Sequence, residues 1–346
     1  MQLIILFGGA SYEHEISIVS ATTLKEKLQD HMDLEFVFCD VDHTLYHVHA
    51  KDMKAKTFSS GQYKKFAKLT LARGKFQNVK LFSKTELHGI VLNLIHGGDG
   101  EDGTIASLLD FYEIKYIGPR IDASVFSYDK RYTKWFAAAR GVKTLEYETL
   151  HADEHKDTRF SFPVIIKPAR LGSSIGVSVV RSVEEFDYAL DVAFEFDNTV
   201  IVEPFIEGVK EYNLAGYFAH GEIHYSMIEE PQKTEFLDFE KKYMDFSRTE
   251  SAHEATLDEN MQKRLKENFK AIYRDMFEGA LIRCDFFVIK DEVYLNEINP
   301  IPGSMANYLF KDFPKAIEAL ADSLPHRKRP KVTYEYIHSI SQAKGK

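Results

Sequence analysis

The chain has 346 residues, 44% of them apolar and 28% charged, with a formal net charge of −9. That length predicts two or three domains of roughly 100–200 residues each, and the composition is that of an ordinary globular protein. The negative balance weighs against nucleic acid or an anionic membrane as the main partner, and two distant cysteines, Cys39 and Cys284, imply no disulfide framework or thiolate metal site.

The opening "MQLIILFGG" has too short an apolar run, and no basic leader, for a signal peptide. No segment offers the ~18 uncharged apolar residues of a membrane helix, so a reduced, cytoplasmic setting is expected. Leu3 to Phe7 reads as a buried strand ending at Gly8-Gly9, followed by a helix from Ile16 to Leu28 and a strand in "LEFVFCDV". Strand, glycine turn, helix, strand is the grammar of a parallel α/β layer. Residues 51–88 are lysine-rich and read as a solvated peripheral insertion. "GIVLNLIHGG", Gly89 to Gly98, reads as another buried strand, then a helix from Thr104 to Tyr112 and a short strand in "IKYIGPR".

Composition shifts after Gly118. A helix from Tyr128 to Arg140 ends on Gly141, a polar loop "HADEHKDTRFS" follows, and "VIIKPARLGSSIGVSVV" supplies two strands. Ser182 and Glu185 have capping-box spacing for a helix to about Phe196, and "TVIVEPFIEG" begins with a strand. Further strands are predicted over Glu211–Tyr217, Glu222–Ile228, Leu281–Ile289 and Glu292–Ile298. Thr256 and Glu259 form a second capping box, opening a helix with Leu257, Met261, Leu265, Phe269 and Ile272 on one face. The basic tail after Leu324 is expected to fray.

Chemistry first emerges in "LIRCDFFVIKDEVYLNEINPIPGS", two strands joined at Lys290-Asp291-Glu292. Arg283, Asp285 and Phe287 share one face of the first strand, and Glu297 and Asn299 share one face of the second. With Asp291 at the centre, Asp285 lies opposite Glu297 and Arg283 opposite Asn299. Like charges placed directly opposite are destabilising, so two carboxylates on an apolar hairpin need a reason. A divalent cation is one, since carboxylates with an amide oxygen suit Mg²⁺ together with substrate phosphates. A slipped register with solvent-facing acids is the alternative.

A metal held this way calls for a nucleotide. The stretch Gly172-Ser173-Ser174-Ile175-Gly176 is no Walker loop, because strands flank it and no Gly-Lys-Ser/Thr closes it. Its small residues can still leave amides free as an anion nest, with Lys167 on the adjoining strand. A plain glycine-serine turn remains the alternative. Lys130 lies on the preceding helix, and Lys242 lies in a long polar segment of the kind that forms lids.

These residues, in this order, resemble the D-alanine–D-alanine ligases of the ATP-grasp group. The resemblance rests on "FGGASYEHEISIVSA", "HGGDGEDGTIASLL", "YIGPR…DK…TK", "IIKPARLGSSIGVSVV", "VEPFIEG…E", "KKY" and "RCDFF…YLNEINPIPG", running to about Phe310. It implies an N-terminal parallel α/β domain, residues 1–118, followed by two nucleotide-sandwiching domains, residues 119–202 and 203–346. It also implies ATP-dependent joining of two D-alanines through an acyl phosphate, for peptidoglycan precursors, with two Mg²⁺ or Mn²⁺ ions and a homodimer.

By the same resemblance Lys130 and Lys167 clamp phosphates under a loop carrying Ser173 and Ser174. Glu203, Phe205 and Ile206 form the adenine hinge, with Glu211 on the ribose and Phe287 nearby. Lys242 and Tyr243 belong to the lid, and Asp285, Glu297 and Asn299 hold metal. Glu13, His96, Arg283 and the Gly303 amide face the amino acids. Glu13, Ser173 and Tyr243 are linked in closing the site, while Arg283 and Gly303 stabilise an oxyanion.

Three positions depart from the better-known pattern. Tyr308, followed by Leu309, stands where a small residue commonly meets the second substrate; Leu237 replaces a lid aromatic, and Phe205 a hinge tryptophan. The rivals are a D-alanine–D-lactate ligase, which Tyr243 disfavours, another ATP-grasp carboxylate–amine ligase, and a regulatory nucleotide binder with a silent site. A dinucleotide-binding dehydrogenase is set aside, because "GGASYE" lacks the G-x-G-x-x-G spacing.

Overall fold

The computed structural model describes residues 1–80, 83–153, 157–231, 252–326, 328 and 330–344. The chain opens with β1 (Gln2–Gly8), α1 (His14–Leu28) and β2 (Asp33–Cys39). Leu3, Ile4, Ile5, Leu6 and Phe7 are all buried, and a strand apolar at every position must be covered on both faces, as in a parallel sheet. β1 does pair in parallel with β2.

Next come β3 (Leu45–Val48), α2 (Ala55–Ser59), β4 (Ala67–Ala72), β5 (Lys75–Lys80), β6 (Ser83–Leu87), β7 (Ile90–Asn93), α3 (Gly98–Glu101), α4 (Thr104–Phe111) and β8 (Tyr116–Ile117). One eight-stranded sheet results, in the order β6-β5-β4-β3-β2-β1-β7-β8. From β2 to β8 its pairs are parallel, and from β2 to β6 antiparallel.

Residues 51–88 therefore correct the expectation of a solvated insertion. They bury Met53, Phe58, Tyr63, Leu69, Phe76 and Leu87, while Lys51, Lys54, Lys56, Lys64, Lys65 and Lys68 face solvent. Lysine content masked an alternation that sheet pairing uses. The strand expected over Gly89 to Gly98 is also shorter. The Asn93 side chain accepts from Ile95 N at 3.1 Å and donates to Gly100 O at 3.1 Å, which turns the chain out of the sheet.

The helix expected over Tyr128 to Arg140 is two, α5 (Ile121–Tyr128) and α6 (Lys130–Ala139). Asp129 between them is extended, and its side chain caps α6 by accepting from Arg131 N. Then follow β9 (Glu148–His151), β10 (Val164–Pro168), β11 (Ser178–Val180), α7 (Val183–Phe194) and β12 (Thr199–Pro204), which give a second, antiparallel sheet ordered β11-β10-β12-β9. Ser182 is the N-cap of α7 without a side-chain bond to a helix amide. Glu185 reaches Arg181 N at 2.8 Å, so the reciprocal box is not formed.

The third sheet, β14-β13-β15-β16, comprises β13 (Lys210–Ala219), β14 (Glu222–Glu229), β15 (Leu281–Ile289) and β16 (Glu292–Asn299), with α8 (Glu259–Tyr273) packed on it. Asp258, not Thr256, caps α8, accepting from Met261 N at 2.7 Å. Leu265, Phe269 and Ile272 are fully buried, each contributing about 1.5–3 kcal/mol of burial. α9 (Phe313–Asp322) and α10 (Glu335–Lys344) follow, the latter an exposed helix where a frayed tail is expected. One core links the first and third sheets, running from Leu3, Phe7 and Leu24 through Tyr217 and Leu281 to Met305 and Ile317. The second sheet has its own, around Val164, Ile166, Phe186, Leu190 and Val202. Among the described residues no helix is long and apolar enough to cross a membrane.

Candidate active site

The Gly8-Gly9 turn sends the chain from β1 into α1. A Cβ on Gly8 would lie 2.2 Å from Cys39 O, so only glycine fits there. Glu13 occupies the N-cap position of α1 yet caps nothing; its carboxylate turns inward, where the Ser173 hydroxyl donates to it at 2.5 Å. Burial, with the Glu101 carboxylate adding to it, pushes Glu13 up to about 6. Cβ atoms at Gly97 and Gly172 would approach its carboxylate oxygens to 2.6 and 2.9 Å. The acid is thus enclosed by backbone from two loops.

Ser173 and Ser174 have φ of 52° and 58°, consecutive left-handed residues that aim the loop between β10 and β11 at Glu13. Lys130 lies beneath this loop, its ammonium donating to Leu171 O, and burial pushes it below the usual lysine range. Lys167, on β10, makes two contacts: with Glu203 at 2.7 Å and with Asn296 Oδ1 at 3.2 Å. Lys134, one turn after Lys130 on α6, pairs with the other oxygen of Glu203. Burial opposes ionisation of Glu203, but Lys167 and Lys134 outweigh it and hold the carboxyl down to about 2.

Across this cleft β15 and β16 pair as expected, Arg283 with Asn299 and Asp285 with Glu297. The turn differs, however. Ile289 pairs with Glu292 across Lys290-Asp291, both at positive φ, and a bulge after Phe286–Leu295 moves the register by one. Arg283 grips Asp285 with two bonds of 2.7 Å, and Asn299 donates to it at 3.0 Å. Burial raises Asp285 to about 6; Arg283 opposes this, while Glu297, hydrogen-bonded to it, adds to the rise. Two touching carboxylates and an amide form a hard-oxygen donor set that fits a divalent cation such as Mg²⁺. Among the described residues no three of His, Cys, Asp and Glu converge on a metal position, so Asn299 is needed to complete the set.

Beyond β16, Ser304, Met305 and Ala306 are all left-handed, with φ of 47°, 54° and 47°. Their turn is tied by Met305 N to Pro302 O at 2.7 Å and by the Asn307 amide to Ser304 O at 3.0 Å. Gly303, half-buried, opens this turn. Tyr308 accepts a hydrogen bond from Arg283, and burial pushes its phenol up to about 12, so it stays neutral. The Leu309 side chain is buried in the core. Past the end of β12 Phe205 N donates to Pro163 O at 3.0 Å, and the Arg181 guanidinium covers the Phe205 ring. Phe205 and Ile206 are half-buried, and Glu211 pairs with Phe287 across β13 and β15. Lys242 and Tyr243, with Leu237, lie outside the described residues.

Residues 2–119 match the family model of the D-ala D-ala ligase N-terminus, and residues 125–319 that of its C-terminus. Over 346 residues the chain is 65% identical to the D-alanine–D-alanine ligase of Sulfurimonas denitrificans, each covered in full. The chain belongs to the D-alanine–D-alanine ligase family. It is also 55% identical to the ligase of Wolinella succinogenes, again over 100% of both. The crystal structure of the ligase from Helicobacter pylori superposes with a TM-score of 0.83 at 47% identity, covering 95% of this chain and 100% of that one. The ligase of Coxiella burnetii, at 23% identity and a TM-score of 0.76 over 93% of each chain, shows the shared fold.

Two residues, Lys134 and Asn296, lie inside the quoted motifs but receive no role in the reading of the sequence. Lys134 carries a signal, since a lysine four after Lys130 falls on the same helix face. Asn296 carries another: Leu295 and Ile298 are both buried although three apart, which a strand permits only with a bulge.

Proposed function

We propose that this ligase joins two D-alanines by a two-step reaction across the cleft between its three sheets. The Glu13 carboxylate holds the ammonium of the first D-alanine, and His96 and the Gly303 turn orient its carboxylate. That carboxylate attacks the γ-phosphorus of ATP, the bond to the β–γ bridging oxygen breaks, and ADP leaves an acyl phosphate behind. The amine of the second D-alanine then attacks the acyl carbon, and the tetrahedral oxyanion, facing Arg283 and the Gly303 amide, collapses with loss of phosphate. Lys130, Lys167 and the amides of the Ser173-Ser174 loop position the phosphates, which is most of what phosphoryl transfer requires.

Asp285, Glu297 and Asn299 would hold Mg²⁺ or Mn²⁺, with Asn299 turning Oδ1 toward it. When bound, the ions supply charge neutralisation on the phosphates. Glu203, Phe205 and Ile206 would receive adenine, and Glu211 and Phe287 would border the ribose. Lys242 and Tyr243 would close over the site and keep water from the acyl phosphate. Tyr308, rather than a small residue, would meet the second D-alanine, next to Leu309. In this reading residues 1–118 bind amino acid and residues 119–202 and 203–346 enclose ATP, in a cytoplasmic homodimer.

The observation that carries the reading is the 2.5 Å bond between Ser173 and Glu13, residues 160 apart, which couples the phosphate loop to the amino-acid pocket. Phosphate release from ATP, with Mg²⁺ and D-alanine, L-alanine, or D-alanine plus D-lactate, tests it, with products identified by mass. Release with D-alanine alone, yielding the dipeptide, is expected. Ester as the main product would move the assignment to the depsipeptide ligases, and no release would overturn it.

A further inference from the structure

Ser20 is a fully buried hydroxyl on α1 that the proposed chemistry does not use. Its Oγ lies 2.9 Å from His96 Nε2 and accepts from Ser304 N at 3.0 Å. Those are the two hydrogen bonds of this hydroxyl among the described residues. By contrast, Thr22 on the same helix places its proton on Ile18 O at 3.0 Å. The Ser304 amide is necessarily a donor, so it occupies a lone pair on Oγ. The Ser20 proton then has one destination, the lone pair of His96 Nε2. A buried hydroxyl that left its proton unpaired would lose on the order of 1–3 kcal/mol.

The consequence for His96 is a defined tautomer. With Nε2 accepting, Nδ1 carries the proton, and it faces Glu101 Oε1 at 3.8 Å, beyond hydrogen-bond length. The ring is 3% exposed, so it cannot exchange partners with bulk water freely. Through the same oxygen Ser20 holds the first of three consecutive left-handed residues. Each such residue is disfavoured by roughly 1–2 kcal/mol and persists only when its surroundings hold it.

We propose that Ser20 is a positioning residue of the ligase: one hydroxyl fixes His96 as the Nδ1–H tautomer and pins the Ser304 amide, setting the histidine and the Gly303 turn at one separation. The proposal rests on the reading of His96 and Gly303 as groups facing the first D-alanine. Nδ1–H is then the donor offered to the substrate carboxylate, and the Gly303 amide approaches the same substrate from a turn tied to the same oxygen.

Long-range ¹H–¹⁵N correlation of the full-length protein labelled in histidine, with His96 assigned from a His96→Gln variant, reads the tautomer directly. The expected spectrum has His96 Nε2 unprotonated and Nδ1 protonated. In Ser20→Ala the two tautomers mix, KM for the first D-alanine rises about tenfold for the lost hydrogen bonds, and KM for ATP is unchanged. Ser20→Thr, which keeps the hydroxyl, restores both readouts. A protonated Nε2 in the native protein overturns the proposal even where Ser20→Ala does not fold. So does a Ser20→Ala protein with unaltered D-alanine KM. A native protein that releases no phosphate with D-alanine overturns the functional reading instead, and the tautomer measurement is unaffected by it.

Discussion

Asp285 faces Glu297 because β16 carries one residue more than β15 between Leu295 and Ile298. Without that bulge Asp285 would face Asn296. The bulge keeps Leu295 and Ile298 in the core while both Asn296 and Glu297 reach the cleft, Asn296 to Lys167 and Glu297 to Asp285. If the pair holds a divalent cation, Asp285→Asn and Glu297→Gln should each lower kcat by about 10²–10³, as for other single electrostatic groups. Circular dichroism should be unchanged in both. Near-native phosphate release from either purified variant would remove the metal assignment.

Glu203 is the anchor of a buried triad with Lys134 and Lys167. Removing one partner of such a pair leaves charge uncompensated, so Lys134→Met should destabilise the protein by about 3 kcal/mol in urea unfolding. A loss below about 1 kcal/mol would show that Lys167 alone satisfies the carboxylate.

The same carboxyl gives a pH signature. Its folded value of about 2 lies below the ordinary 4.5, so the folded state binds fewer protons. The stability it contributes, about 3 kcal/mol, is fully present above pH 4.5 and is lost as pH falls through about 2. Unfolding measured from pH 5 to pH 2 should show a shallower acid decline in Glu203→Gln than in the parent chain. Parallel curves would contradict the triad.

Glu13 has the opposite sign. Its folded value of about 6 lies above 4.5, so stability falls as pH rises between these values, while binding an ammonium needs the carboxylate that appears above 6. At saturating Mg²⁺, kcat/KM for D-alanine should drop about tenfold per pH unit below 6. A Glu13→Gln enzyme should be slow and should lack this limb; retention of the limb would assign it elsewhere.

Gly172 tests the enclosure of that acid. A methyl group there would meet Glu13 Oε1 at 2.9 Å, so Gly172→Ala should displace the carboxylate. D-alanine affinity by calorimetry should fall about tenfold, roughly the worth of a lost charged contact, while ATP affinity is retained. Unchanged D-alanine binding would show that the acid lies elsewhere when substrate binds.

Much of this ligase is set by local pattern, because buried strands and amphipathic helices declare themselves through period and glycine punctuation. β1, α1, β13 to β16 and the inward face of α8 follow that way, and so does the opposition of Asp285 and Glu297. That last register, however, comes from a two-residue turn plus a bulge, not from the three-residue turn expected of Lys290-Asp291-Glu292. Residues 51–88 look solvated by composition, and only pairing with β3 shows which side chains turn inward.

Contacts between distant segments lie wholly outside local pattern. No spacing rule joins Ser173 to Glu13, Lys134 to Glu203 or Ser20 to both His96 and Ser304. Each depends on how distant elements pack; for Ser20, His96 and Ser304 that is the apolar core linking β1 and α1 to β13, β15 and the turn after Gly303. Chemistry-bearing residues were therefore legible by type and order, while their charge states and partners come from burial, which the chain acquires only on folding.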